Sequence, residues 1–229
     1  MKNNYPIGQP LAEFIGSMFL ITAAISPMIL LTSVLEADKS IAVFLSAITV
    51  VFVLSALIEM FAPISGAHFN PVVTMAMLLD KKISPSKAAL FVVCQVAGGM
   101  AGTALSHLMF FDEVGGIFFV SSNVRGGYMY IGEIAGTFIL ILAILVLVKI
   151  KSGRISIIVA LLVGGQVMAT SSTMFANPQV TIARMFTNTA AGIRPINGLV
   201  FIVMQIIGAL LAYGAYRLIF IHRPDNTLT

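Results

Sequence analysis

Six predominantly apolar stretches, at about 11–34, 41–62, 87–110, 128–150, 155–173 and 197–221, constrain this chain more than any other feature. A hydrocarbon core roughly 30 Å thick is crossed by about 20 helical residues rising about 1.5 Å each, so each stretch is long enough to span it. The runs are continuous rather than alternating in short segments, which favours helices over a closed barrel. With 59% hydrophobic residues, 10% charged residues and a mean hydropathy of +1.02, the chain lies outside the range of soluble domains. The expected partner of its surface is a lipid bilayer, and the expected fold is an all-α membrane protein forming one transmembrane domain over 1–229.

Charge gives orientation. Lys2, Lys81, Lys82, Lys87, Lys149, Lys151, Arg154, Arg217 and Arg223 fall on one side of a six-span arrangement, whereas Lys39, Arg125 and Arg194 fall on the other. By the positive-inside rule both termini are expected in the cytoplasm of a cell-membrane protein, with the Glu36/Asp38 and Asp112/Glu113 connections outside. Because the basic residues occupy short connections, the sequence pI of about 9.4 does not point to a nucleic-acid partner. No removable signal peptide is expected, since no small-residue cleavage site follows a short apolar core. Cys94, alone in an apolar run, reads as a small buried side chain, and His107 and His222 read as ordinary span-end residues.

The chain also resembles itself. Glu13-Phe14-Ile15-Gly16-Ser17 matches Glu133-Ile134-Ala135-Gly136-Thr137, and Gln95-Val96-Ala97-Gly98-Gly99 matches Gln205-Ile206-Ile207-Gly208-Ala209. Between them stand Asn70-Pro71-Val72-Val73-Thr74 and Asn177-Pro178-Gln179-Val180-Thr181. Two repeats follow, about 1–110 and about 128–229. Three spans per repeat is an odd number, so the second repeat is inverted relative to the first. The segments around the two Asn-Pro pairs are too polar for full spans and read as two re-entrant half-helices, in an inverted 3+3 arrangement.

Asparagine is a strong N-cap and proline suits the first helical position, so Asn70-Pro71 and Asn177-Pro178 read as helix starts. If both starts lie near the midplane, two positive dipole ends meet there and the carboxamide NH₂ groups face a common path. Cations and hopping protons then meet a barrier, while neutral hydroxyl-bearing solutes accept hydrogen bonds.

Ser65-Gly66-Ala67-His68-Phe69-Asn70-Pro71-Val72-Val73-Thr74 closely resembles the first signature of the aquaporin, or major intrinsic protein, family, and the resemblance extends over essentially the whole chain. It implies a passive channel for water and small neutral solutes, assembled as a homotetramer with one pore per subunit. It also implies that Glu13, Glu133 and His68 hold the re-entrant backbone by hydrogen bonds, with direct solute contact or proton relay as the other roles open to the two glutamates. Glu59, which pairs with Gln166 when residues are counted back from each Asn, has no assigned role.

The second loop departs from the family pattern. Where an arginine usually follows the Asn by three residues stands Val180. Arg184, seven residues after Asn177, points within about 20° of the Asn direction and roughly 10 Å farther along a helix. It is therefore expected at the outer mouth, the alternative being an arginine that snorkels outward or pairs with a loop carboxylate. Counting from the two asparagines as the family pattern directs places the other filter positions at Val50, Gly165 and Met174, with Phe52 reaching in if the register of that span differs. Such small side chains imply a wide, apolar constriction suited to glycerol-like polyols, urea or neutral metalloid hydroxides as well as water.

Two other functions compete. An alternating-access secondary transporter shares the inverted repeat and broken helices, with Glu59 as its best coupling residue. An enzyme is not expected, because no HExxH, GxSxG or intramembrane aspartate pair occurs, and neither a catalytic group, a metal site nor a cofactor is indicated.

Overall fold

A computed structural model describes residues 7–220, so Lys2, His222 and Arg223 lie outside it. Helix α1 (Gly8–Ile29) contains Pro27, and a π-helical turn over Leu30–Val34 extends it, with the Leu35 N–H donating to the Leu30 carbonyl at 2.9 Å. Helix α2 (Lys39–Phe61) starts at Asp38, whose carboxylate accepts the Ser40 N–H. After the short α3 (Pro71–Leu79) comes α4 (Pro85–Met109), capped by Ser84 with proline at its first position. A four-residue turn of helix, α5 (Phe111–Val114), ends the first half. The second half repeats the order with α6 (Met129–Lys149), α7 (Ile155–Ala169), the short α8 (Pro178–Met185) and α9 (Pro195–Phe220).

Among the described residues five helices are long and apolar enough to cross a membrane: Gly8–Val34, Lys39–Phe61, Pro85–Met109, Met129–Lys149 and Pro195–Phe220. The sixth, α7, has 15 residues. At about 1.5 Å per residue it covers only about 22 Å, because the chain leaves the helix at Thr170 to build the second re-entrant loop. The architecture is therefore six transmembrane helices and two half-helices, as the apolar pattern implies.

Glycine sets the closeness of packing. A Cβ at Gly98 of α4 would stand 2.2 Å from the Phe14 carbonyl oxygen of α1, and one at Gly102 would stand 2.3 Å from the Met18 carbonyl. The second half does the same, with Gly208 of α9 against the Ile134 carbonyl of α6 at 2.5 Å. These glycines thus serve contacts within the chain, α1 on α4 and α6 on α9. Helices α2 and α7 pack on each other and join the halves. Outward faces carry exposed Phe44, Phe52, Val93, Ile131, Leu161 and Leu211, as a lipid-facing surface requires. Phe52 is 69% exposed, which removes it from the interior.

Candidate functional site: a passage between two helix tips

Each half-helix begins at its asparagine. The Asn70 side-chain oxygen accepts the Val72 N–H at 3.0 Å, and the Asn177 side-chain oxygen accepts the Gln179 N–H at 3.1 Å. Proline occupies the first turn of both. The amide nitrogens cross over: Asn70 Nδ2 donates to the Ala176 carbonyl at 2.8 Å, and Asn177 Nδ2 donates to the Phe69 carbonyl at 2.9 Å. Each carboxamide NH₂ has two hydrogens, so this bridge leaves one on each tip. The helix starts therefore meet tip to tip, with their positive dipole ends together.

The loops that deliver these tips are strained and externally held. Ala67 and Phe69 in the first, and Met174 and Ala176 in the second, all have positive φ without being glycine. Such residues cost on the order of 1–3 kcal/mol each and persist only where the surroundings fix them. Two buried carboxylates do this. Glu13 accepts the N–H groups of His68 at 3.0 Å and Phe69 at 2.7 Å, the Ser65 hydroxyl at 2.6 Å and Gln95 Nε2 at 2.8 Å. Glu133 accepts the N–H groups of Phe175 and Ala176, both at 2.9 Å, and Gln205 Nε2 at 2.6 Å. Both glutamates are fully buried, and the donors satisfy charges that lipid or protein interior would otherwise reject. Gln95 and Gln205 also donate to Thr74 at 2.9 Å and Thr181 at 2.8 Å, tying each half-helix to its long neighbour. His68 presents Nδ1 to Thr74 Oγ1 at 3.0 Å and meets Phe91 edge-on.

Past the tips runs a cavity of about 560 Å³, lined by Asn70 and Asn177. Along α2 its lining extends from Lys39 to Glu59, about 30 Å of helix, which is the thickness of a hydrocarbon core. Lys82, Ser152 and Gly153 line the Glu59 end. The walls repeat by halves: Ser46, Ala47, Val50, Leu54 and Ile58 on α2 have the same spacing as Ile155, Ser156, Val159, Val163 and Val167 on α7.

Val50, Met174, Val180 and Arg184 line this cavity, and Gly165 does not. Gly165 is exposed, and a Cβ there would meet nothing within 4 Å. It lies about 200° around α7 from Val163, so its face turns outward. The α7 position counted from the family pattern is thus corrected: Val163 and Val167 supply the wall. The matched spacing also pairs Glu59 with Met168 rather than with Gln166.

Arg184 is 9% exposed, with its guanidinium 3.8 Å from the centre of the Phe175 ring and its Nε donating to the Ala191 carbonyl. Among the described residues it has no carboxylate partner. A second guanidinium, Arg125, arrives from the loop before α6 and stands 5.1 Å from the same ring. It donates to the carbonyls of Gly192 at 3.1 Å, Ser172 at 3.4 Å and Ala190 at 3.5 Å, and to the Thr173 hydroxyl at 3.2 Å. Burial pulls its pKa below the usual arginine value and the Glu133 carboxylate opposes the shift, but an arginine stays charged near neutrality.

Arg125, Phe175 and Gln179 were not singled out by sequence reasoning. Phe175 and His68 occupy matched positions two residues before each Asn, a signal present in the repeat. Gln179 donates to the Phe69 carbonyl at 3.2 Å alongside Asn177. His107 stands in the last turn of its span, as expected, but it is buried and bonded on both ring nitrogens, with Nδ1 2.6 Å from the Ile117 carbonyl and Nε2 2.8 Å from Thr187 Oγ1.

An inverted pair of three-helix units, with two half-helices meeting inside one transmembrane cavity, defines a multi-pass membrane protein built around a passage. The sequence pattern described as Major intrinsic protein matches residues 2–176, stopping just before the second Asn-Pro pair. The chain belongs to the major intrinsic protein family. It is 35% identical over 211 residues to the Aquaglyceroporin AqpS of Rhizobium meliloti (strain 1021), covering 90% of this chain and 87% of that one. It is 29% identical over 193 residues to human Aquaporin-4, covering 80% of this chain but only 59% of that longer one. The crystal structure of the aquaglyceroporin from Plasmodium falciparum superposes with a TM-score of 0.69 over 96% of both chains at 15% identity, a likeness of fold.

Proposed function

We propose that this chain is a passive channel for water and small uncharged solutes of glycerol size, with urea and neutral metalloid hydroxides in the same class, and is not an enzyme. The observation that carries the reading is the cavity continuous from Lys39 to Lys82 past both asparagines. Asn70, Pro71, Asn177 and Pro178 form the pore centre in this reading, where one free hydrogen on each carboxamide receives a passing hydroxyl oxygen. The paired positive helix ends oppose cations and protons, the general explanation for aquaporin-type pores. Glu13, Glu133 and His68 support the loops.

The filter in this reading comprises Val50, Met174, Val180 and Arg184, with Val163 and Val167 from α7. Aliphatic walls at those positions leave room for a carbon backbone, and Arg184 and Arg125 offer donors at the mouth. The name of one relative, an aquaglyceroporin, supports solutes larger than water. The chain acts as one transmembrane domain of two repeats in the cell membrane, with both termini cytoplasmic and as a homotetramer.

Stopped-flow light scattering on proteoliposomes of the full chain tests this. Shrinkage followed by reswelling with glycerol or urea is expected. Water flux with no solute entry removes the wide-filter reading, and flux no faster than protein-free vesicles removes the channel.

A further inference from the structure

We propose that the guanidinium of Arg184 is a binding site for a small planar monovalent oxyanion, of carboxylate or nitrate type, at the mouth of the passage. The occlusion it produces rests on the channel reading; the binding does not.

Arg184 carries five N–H donors in a planar fork. Its Nε donates to Ala191, and among the described residues neither Nη atom has a protein acceptor. The side chain is 91% buried yet lines the cavity, so the donors left over open into that space rather than into bulk solvent. Two parallel N–H groups, one from each Nη, match the spacing of two oxygens on a planar anion. Phe175 backs the fork at 3.8 Å and holds its plane.

The field favours an anion. Arg125 lies against the same ring at 5.1 Å, and its acceptors are carbonyls and one hydroxyl, which carry no charge. Arg184 and Arg125 repel one another, and Glu133 is the carboxylate that offsets them. Glu133 is itself committed to Phe175, Ala176 and Gln205, so two guanidiniums share one carboxylate already occupied by three N–H donors. An oxyanion on the free fork supplies the missing charge. Beyond it Val50, Leu54 and Val163 offer no hydrogen bonds, so a bound anion is held at the mouth by the desolvation it meets next.

The test uses the full chain. In proteoliposomes, glycerol entry is measured with sodium nitrate against sodium chloride at equal ionic strength. At a concentration about four times the dissociation constant, occupancy is about 80%, so glycerol entry falls about fivefold relative to chloride. In detergent, formate raises the melting temperature where chloride does not. Arg184→Met abolishes both effects relative to its own basal values, and Arg125→Met weakens them by removing charge. If Arg184→Met does not fold, Arg184→Lys, which keeps the charge but not the fork, is expected to reduce the formate shift.

Normal basal flux with no nitrate inhibition and no formate shift overturns the anion site and leaves the channel standing. Inhibition that survives Arg184→Met, or that chloride reproduces, overturns it equally. Absent basal flux removes the channel reading, and the formate shift then decides the anion site alone.

Discussion

The Asn70 side-chain amide donates to the main-chain carbonyl of Ala176 at 2.8 Å, joining residues 106 apart in sequence. Asn177 returns the bond to Phe69, so each half of the protein positions the loop of the other. Asp at position 70 keeps a cap for the Val72 N–H but loses the donor and sets a negative charge between two positive helix ends. Asn70→Asp is expected to raise proton or cation leak about tenfold or more, an effect of about 1.4 kcal/mol on the barrier, while water flux changes less. A pH-sensitive dye inside proteoliposomes reads the leak; an unchanged leak contradicts the role given to the tips.

Glu133 faces three N–H donors. A glutamine there offers one carbonyl oxygen and turns an NH₂ toward donors that need acceptors. Glu133→Gln is therefore expected to destabilise the protein by about 2–4 kcal/mol. Thermal unfolding in detergent measures it, and a melting temperature equal to the parent's would show that the carboxylate does not hold the loop.

Two neighbouring glycines separate rigid from yielding contacts. At Gly98 a Cβ meets the Phe14 carbonyl at 2.2 Å, which can move only with its helix; at Gly99 it meets the side-chain oxygen of Gln179 at 2.2 Å. Gly98→Ala is expected to cost about 3 kcal/mol or more and Gly99→Ala about 1–3 kcal/mol. Adding Gln179→Ala should restore most of the Gly99→Ala loss and none of the Gly98→Ala loss. Equal rescue of both contradicts the packing described.

Sequence located the helices because bilayer thickness forces apolar runs of one length, and with the π-helical turn counted as part of α1 each described boundary lies within four residues of its run. The Asn-Pro pairs were legible because a cap followed by proline marks a helix start by local chemistry. Glu13, Glu133, Gln95 and Gln205 stood in the repeat, although only the fold shows that each pair grips one loop. Arg125 carried no such mark, since it reaches Phe175 through a loop that has no counterpart in the repeat. Gly165 was misplaced because counting along the chain assumes equal loops. The matched walls of α2 and α7 show instead that the second loop is two residues shorter.

Val180, three residues after Asn177, lines the cavity. Val180→Arg is expected to narrow the passage and lower glycerol entry about tenfold, with a smaller loss for water. Parallel reswelling and shrinkage rates check this, and equal losses for both would show that the position does not discriminate by size.

Glu59 accepts a hydrogen bond from the Ser156 hydroxyl at 2.6 Å, near one end of the cavity rather than beside the asparagines. A coupling residue of a carrier belongs near the midplane. Glu59→Gln is expected to leave glycerol flux within about twofold and independent of a pH gradient, whereas saturable flux that needs the gradient and disappears in the variant identifies a carrier.

A density map of the full chain in lipid nanodiscs, fine enough to show ordered water, decides whether α3 and α8 meet in an open aqueous path. A file of water peaks passing Asn70 and Asn177 and continuing to both mouths is expected. Dry protein sealing either tip, or a tip lying among lipid head groups, contradicts the pore.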